Sequence, residues 1–274
     1  MWRARRSPCR TPSPEHARSG HHIVGKLKAA KKLRILSSNP SGRHLCGQTK
    51  NEIALSNLAD ELRSDVQGLL AASGMMPFGW FTVDGDQRDR KRPALLIGNI
   101  GSSLWPAFSR SVEFSDGLKN PMDRWTKEVV EPIASELKAE ARYPFGQPHW
   151  PFQTYAKAAT GMDNSPLGLV IHPEFGLWTA LRAVFVFDDD FEVPTHHVDW
   201  HPCDCCVDKP CLSTCPVDSF GPDGYDWKGC KAHVASEQGV VCLSGGCLAR
   251  HACPVGTEYA YDNEHQAFHM AAYI

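Results

Sequence analysis

The sequence predicts an α+β protein in three parts: a basic tail over 1–50, a helix-and-sheet domain over 51–195, and an iron–sulfur segment over 196–274 that ends in a helix. Three observations carry this reading. Apolar runs of helical and of strand period alternate over 51–190, as in α/β or α+β sheet domains. Of the eleven cysteines, nine lie between Cys203 and Cys253 and none from 47 to 202, so they serve a local device. The tail holds twelve Lys or Arg against one acid, Glu15, and few large apolar residues.

Stretches such as Arg5-Arg6-Ser7-Pro8 and Thr11-Pro12-Ser13-Pro14 bury too little apolar area to offset ordering entropy, which predicts disorder. An Arg- and Ser-rich, acid-poor stretch resembles a transit peptide; a misassigned start or a solvated basic arm has the same composition. The tail carries +11, which leaves −13 on residues 51–274. That charge repels phosphate backbones and argues against nucleic-acid binding as the main function. No apolar run approaches the roughly 20 residues that span a bilayer. A cytoplasmic protein without membrane contact is expected.

Leu58, Leu62, Val66, Leu69 and Leu70 recur at helical spacing until Gly74 supplies a stop. Gly79–Val83 and Ala94–Ile97 read as buried strands, and the loop of Gly98 and Gly101 reads as a turn rather than a phosphate cradle. Asn120-Pro121 has the form of a helix start, Asn capping and Pro in the first position. Trp125, Val129, Ile133 and Leu137 mark the buried face, while Pro132 is expected to kink or divide that helix. Gly168–Ile171 and Ala183–Phe187 provide two further strands, and Asp188, Asp189 and Asp190 read as a solvated strand end.

The cysteines run Cys203-x2-Cys206-x4-Cys211-x3-Cys215-Pro216, then Cys230, then Cys242-x4-Cys247-x5-Cys253-Pro254. Two runs ending in Cys-Pro point to iron–sulfur ligation, in which the last cysteine of a run often serves the other cluster. With Cys205 set aside, Cys203, Cys206, Cys211 and Cys253 would share one [4Fe-4S] cluster, and Cys215, Cys230, Cys242 and Cys247 a second. The bacterial spacing is C-x2-C-x2-C-x3-C-P, and the looser spacing here leaves one cluster as the alternative count. Zinc is the other reading, because His196, His197, His201 and His233 lie near Cys203-x2-Cys206. His172, directly after an apolar strand, is either a pocket-edge side chain or a satisfied core histidine.

The run Gly168-Leu-Val-Ile-His-Pro-Glu-Phe-Gly-Leu-Trp-Thr-Ala-Leu-Arg182-Ala-Val-Phe-Val-Phe187 resembles the CblC-type cobalamin-processing chaperones, as do Ala94–Ile97 and Asn120-Pro-Met-Asp-Arg-Trp125. The cysteine segment, absent from those chaperones, is similar to epoxyqueuosine reductase and the reductive dehalogenases. The resemblance implies a modified nitroreductase-like sheet domain that binds a corrinoid, followed by ferredoxin-like clusters. It implies a cofactor pocket at His172, Pro173, Glu174, Phe175, Gly176 and Trp178, with Phe175 and Trp178 covering a flat ring. Where the chaperones carry an arginine associated with glutathione, Glu174 stands here and repels an anionic thiol peptide. Absence of the C-terminal extension by which epoxyqueuosine reductases hold transfer RNA argues against that substrate.

Two functions follow. One is an oxidoreductase or cofactor-handling protein, supplied by a redox partner protein or small-molecule reductant, whose clusters pass electrons to cobalamin or a flavin. The other is a ferredoxin-type carrier without a second cofactor. No catalytic proton donor is legible.

Overall fold

The structure is a computed structural model that describes residues 50–85, 90–194 and 200–274, with side chains from Leu58 onward. The expectations for the tail, Cys9, Cys46, His196 and His197 fall outside the described residues. In chain order the elements are α1 (Lys50–Leu70), β1 (Met76–Asp84), β2 (Lys91–Ile100), α2 (Trp105–Phe108), α3 (Val112–Ser115), α4 (Pro121–Leu137), β3 (Glu140–Arg142), α5 (Phe152–Thr160), β4 (Asp163–Asn164), β5 (Val170–Ile171) and β6 (Thr179–Val186). The cysteine segment adds α6 (Pro210–Ser213), β7 (Phe220–Gly221), β8 (Gly224–Tyr225), α7 (Trp227–Val234), α8 (Val240–Gly245), α9 (Leu248–His251) and α10 (Asn263–Tyr273).

The main sheet has four strands in the order β1-β2-β6-β3, each pair antiparallel. Its central strands are apolar on both faces because both faces are covered. Trp80, Leu95, Ile97, Ala183, Phe185 and Phe187 point into a core shared with α1 and α4. Phe81, Val83, Ala94, Leu96, Val184 and Val186 point the other way, against α5. The alternation along β2 assigns successive residues to opposite layers, as the period of two requires. Each fully buried large apolar side chain contributes about 1.5–3 kcal/mol. Trp80 Nε1 donates to the Ala59 carbonyl at 3.2 Å and fixes α1 on the sheet.

Three expectations need correction. Asn120 precedes α4 but lies at φ 53° and makes no side-chain cap bond, so it turns the chain instead of capping it. Pro132 does not divide the helix, which runs from Pro121 to Leu137. Gly168–Ile171 is not a strand of the main sheet: only Val170–Ile171 pairs, with Asp163–Asn164, because Gly168 at φ 73° completes a turn back to Ser165. The edge strand β3 has too few residues to show a period. It is held by Glu140, which accepts from the buried guanidinium groups of Arg92 and Arg142, each at 2.7 Å.

Candidate metal centre

The eight cysteines named from the spacing are all free thiols. Short helices present them: α6 carries Cys211, α7 Cys230, α8 Cys242, and α9 lies between Cys247 and Cys253. Their side chains gather in two sets. Burial, reinforced by Cys253, Cys211 and Cys206, pushes the Cys203 thiol up to about 11. Burial and the same neighbours raise Cys211 and Cys253. In the other set burial raises Cys242 and Cys247, and the nearby sulfurs are those of Cys215, Cys230 and one another.

Four partly or fully buried thiols in mutual electrostatic range disfavour the thiolate; a bound metal reverses that balance. Backbone amides already address the sulfurs. Val255 N–H faces Cys253, Ala249 and Arg250 N–H face Cys247, Leu248 N–H faces Cys242, and Ser219 N–H donates to Cys215 Sγ at 3.4 Å. Such donors stabilise anionic sulfur. A small pocket of about 20 Å³ lies among Cys203, Cys206, Cys211 and Cys253, walled by Ile171 and Val255. Among the described residues no three His, Cys, Asp or Glu side chains close to single-ion geometry. One tetrahedral zinc would draw its sulfurs to about 2.3 Å from a common point. A set of four cysteine sulfurs fits either a four-thiolate iron–sulfur cluster or a four-cysteine zinc site.

His201 accepts the Cys203 backbone N–H at Nδ1, 3.2 Å, so that ring shapes the loop. Lys209 donates from Nζ to the carbonyls of Cys203 and Cys206 at 3.1 and 3.4 Å and brings a positive charge to the first set.

The first set packs directly on the sheet region: Leu167, Ile171 and Leu177 form one apolar cluster with Cys211, Ala249 and Cys253. The chain approaches itself even more closely at the His172 turn. A Cβ on Gly176 would lie 2.0 Å from the Val255 carbonyl oxygen, and one on Gly256 would lie 2.4 Å from the Phe175 carbonyl carbon. Both glycines have positive φ, 59° and 67°, so neither space nor backbone admits another residue.

The turn itself is closely engaged. His172 Nδ1 accepts the backbone N–H groups of Glu174 and Phe175 at 3.1 and 3.2 Å, its ring stacks on Phe175 at 4.3 Å, and burial lowers its pKa to about 4. Phe175 meets the Tyr259 ring edge-on at 5.0 Å. Trp178 is 1% exposed and lies under the Arg250 guanidinium, 4.4 Å from its ring centre. Glu174 points to solvent. Phe175, Gly176 and Trp178 thus meet the segment that bears Cys253, but Trp178 offers no open face.

Sequence reasoning missed a polar cluster between the sheet and α10. His265, 0% exposed, lies between the rings of Trp105 and Tyr261, its Nδ1 3.1 Å from Ser102 Oγ and its Nε2 3.0 Å from His269 Nε2. Burial lowers their pKa values to about 3 for His265 and about 4 for His269. The available signals were the i, i+4 histidine pair and Arg182 within an apolar strand.

The comparison that decides the fold is with the B12-trafficking protein CblC of C. elegans, a homologue of human MMACHC. The two structures match with a TM-score of 0.50 at 14% identity, over 80% of this chain and 92% of that one. The chain has the CblC fold. Epoxyqueuosine reductase from Bacillus subtilis matches at a TM-score of 0.43 and 13% identity, over 74% of this chain and 66% of that one. An epoxyqueuosine reductase solved with a tRNA-Tyr stem loop also gives 0.43 and 13%, over 75% and 67%. No family model and no curated protein matches the chain. On the CblC fold the four-stranded sheet accounts for residues up to Val186; the cysteine sets follow it in the chain. Among the described residues no helix is long and apolar enough to cross a membrane.

Proposed function

We propose that this chain is an iron–sulfur redox protein on a CblC fold, in which two [4Fe-4S] clusters pass electrons to a corrinoid or flavin held against the sheet. One observation carries the reading: eight thiols, buried or partly buried, gather in two sets of four, each addressed by backbone N–H groups, and the first shares an apolar cluster with Leu167, Ile171 and Leu177. Cys203, Cys206, Cys211 and Cys253 would hold one cluster; Cys215, Cys230, Cys242 and Cys247 would hold the other. Such clusters supply one-electron transfer at potentials set by hydrogen bonds to sulfur and by nearby charge. The chain's own part is to supply the thiolates, exclude water through Ile171, Leu177 and Val255, and fix the first set against the His172 turn.

The carrier reading is favoured by one specific observation, the enclosure of Trp178 beneath Arg250, which leaves that ring unavailable to a flat cofactor. Anaerobically prepared protein is expected to contain iron and acid-labile sulfide and to lose its broad visible absorption on reduction. Titration with cobinamide, cobalamin and FMN separates the two readings: saturable binding of one supports cofactor reduction, and binding of none supports the carrier. Stoichiometric zinc without sulfide would overturn both.

A further inference from the structure

The loop from Cys206 to Cys211 holds four residues where the bacterial run holds two, and the added length carries a cation. Lys209 stands at φ 36°, in the left-handed region that a lysine enters only at a cost, immediately before Pro210 opens α6. Its Nζ donates to the Cys203 carbonyl at 3.1 Å and to the Cys206 carbonyl at 3.4 Å, so it bridges two residues of the first set. Lys209 is also the only charged residue among those that line the pocket between Cys203, Cys206, Cys211 and Cys253; the others are cysteines, prolines and aliphatic residues.

Among the described residues no carboxylate lies within ion-pair distance of the Lys209 ammonium. Asp204 and Asp208 of the same loop are exposed, and Asp204 lies beside His201 at 3.7 Å. The Lys209 charge therefore acts on the set itself, and at Cys203 it favours anionic sulfur against burial and the neighbouring thiols. The second set has another environment. The groups that act on Cys242 and Cys247 are sulfurs and backbone N–H groups. Cys230 meets the neutral Tyr225 phenol, whose oxygen lies 2.8 Å from that of Tyr273. Lys228 and Lys231 of α7 and Asp226 before it are exposed, where solvent and salt screen them. Reduction of four-thiolate iron adds one full negative charge, which a fixed cation stabilises more than a neutral donor does.

We propose that Lys209 sets the order of the two potentials: its ammonium makes the first cysteine set the easier one to reduce, so that an electron entering the protein rests on the set packed against Leu167, Ile171 and Leu177. This inference rests on the redox function proposed above. The step it biases moves one electron from an external one-electron reductant to thiolate-held iron. No bond forms or breaks and no proton moves, so the ammonium has only the added charge to offset.

The full chain, loaded anaerobically with iron and sulfide, is titrated with dithionite through redox mediators and followed by electron paramagnetic resonance. Cys247→Ser retains the first set and Cys253→Ser the second, and the first is expected to show the higher midpoint potential. Lys209→Met added to Cys247→Ser should lower that potential, changing the oxidised-to-reduced ratio at fixed ambient potential about tenfold, or about 59 mV for one electron. Lys209→Arg should restore most of the shift, because charge is what matters, and Lys209→Met added to Cys253→Ser should change nothing. If Lys209→Met prevents folding, the order of the two potentials decides the matter. A first set no easier to reduce than the second, or a potential that Lys209→Met leaves in place, would overturn this inference alone. Protein that takes up neither iron nor sulfide would overturn the redox function and this inference with it.

Discussion

The cysteine sets and the Arg182 cluster are both buried polar constructions in one chain, built in opposite ways. The first draws its ligands from fewer than sixty consecutive residues on short helices, so its parts are visible as spacing. The second brings together Asn99, Asp123, Arg182 and His265 from four separate elements. Proximity there is set by strand register and helix docking. A site of local origin survives loosened spacing, whereas one of long-range origin exists only when the whole core is formed.

The largest expected effect breaks the local construction one set at a time. Cys253→Ser should halve the iron and sulfide per chain, as should Cys247→Ser, and the double variant should lose nearly all of both. If either single change removed everything, the two sets would not be separate. Next comes the seam between the regions: Gly176→Ala places a Cβ against the Val255 carbonyl and forces a positive φ, with an expected loss of about 2–4 kcal/mol in denaturant unfolding.

A pH dependence tests the long-range construction. His265, His269 and His172 have folded pKa values of about 3, 4 and 4, below the ordinary 6.5. The unfolded chain therefore binds more protons below pH 6.5, so stability is fully present above that pH and falls as pH drops toward 4. The slope is at most about 1.4 kcal/mol per pH unit for each histidine. His265→Gln should flatten the curve measured by urea unfolding between pH 7 and 5. An unchanged slope would show that His265 does not remain neutral.

The smallest effect is at the sheet edge. Asp188, 78% exposed, pairs with Arg92 at 3.0 Å, and Asp188→Asn should change stability by less than about 0.5 kcal/mol. Glu140→Gln, which weakens the hold on two buried guanidinium groups, should cost more in the same unfolding assay.

How much of this was legible follows from range. Helix α1 and its stop at Gly74, both central strands and the order of the thiols could be read because each signal lies within a few residues. Strand β3 could not, since three residues show no period and its hold comes from Arg92, 48 positions away. The form Asn-Pro marked the right boundary for α4 with the wrong chemistry, because tertiary packing placed Asn120 in the left-handed region. Asp188 to Asp190 are exposed, as their run of charge indicated. The aromatic turn after His172 meets the cysteine segment through Gly176 and Phe175, yet which faces it keeps open depends on Arg250 and Tyr259, distant in sequence.

The contact of bare backbones at Gly176 and Gly256 also has a mechanical consequence. Side-chain interfaces can slide by changing rotamers, but here carbonyl and amide meet with nothing between them that can rotate away. The separation between the first cysteine set and the sheet is therefore stiff. On the redox function proposed above, a charge arriving on that set would displace few heavy atoms across the seam, the condition for a low reorganisation energy, and movement would fall on the solvent-facing side.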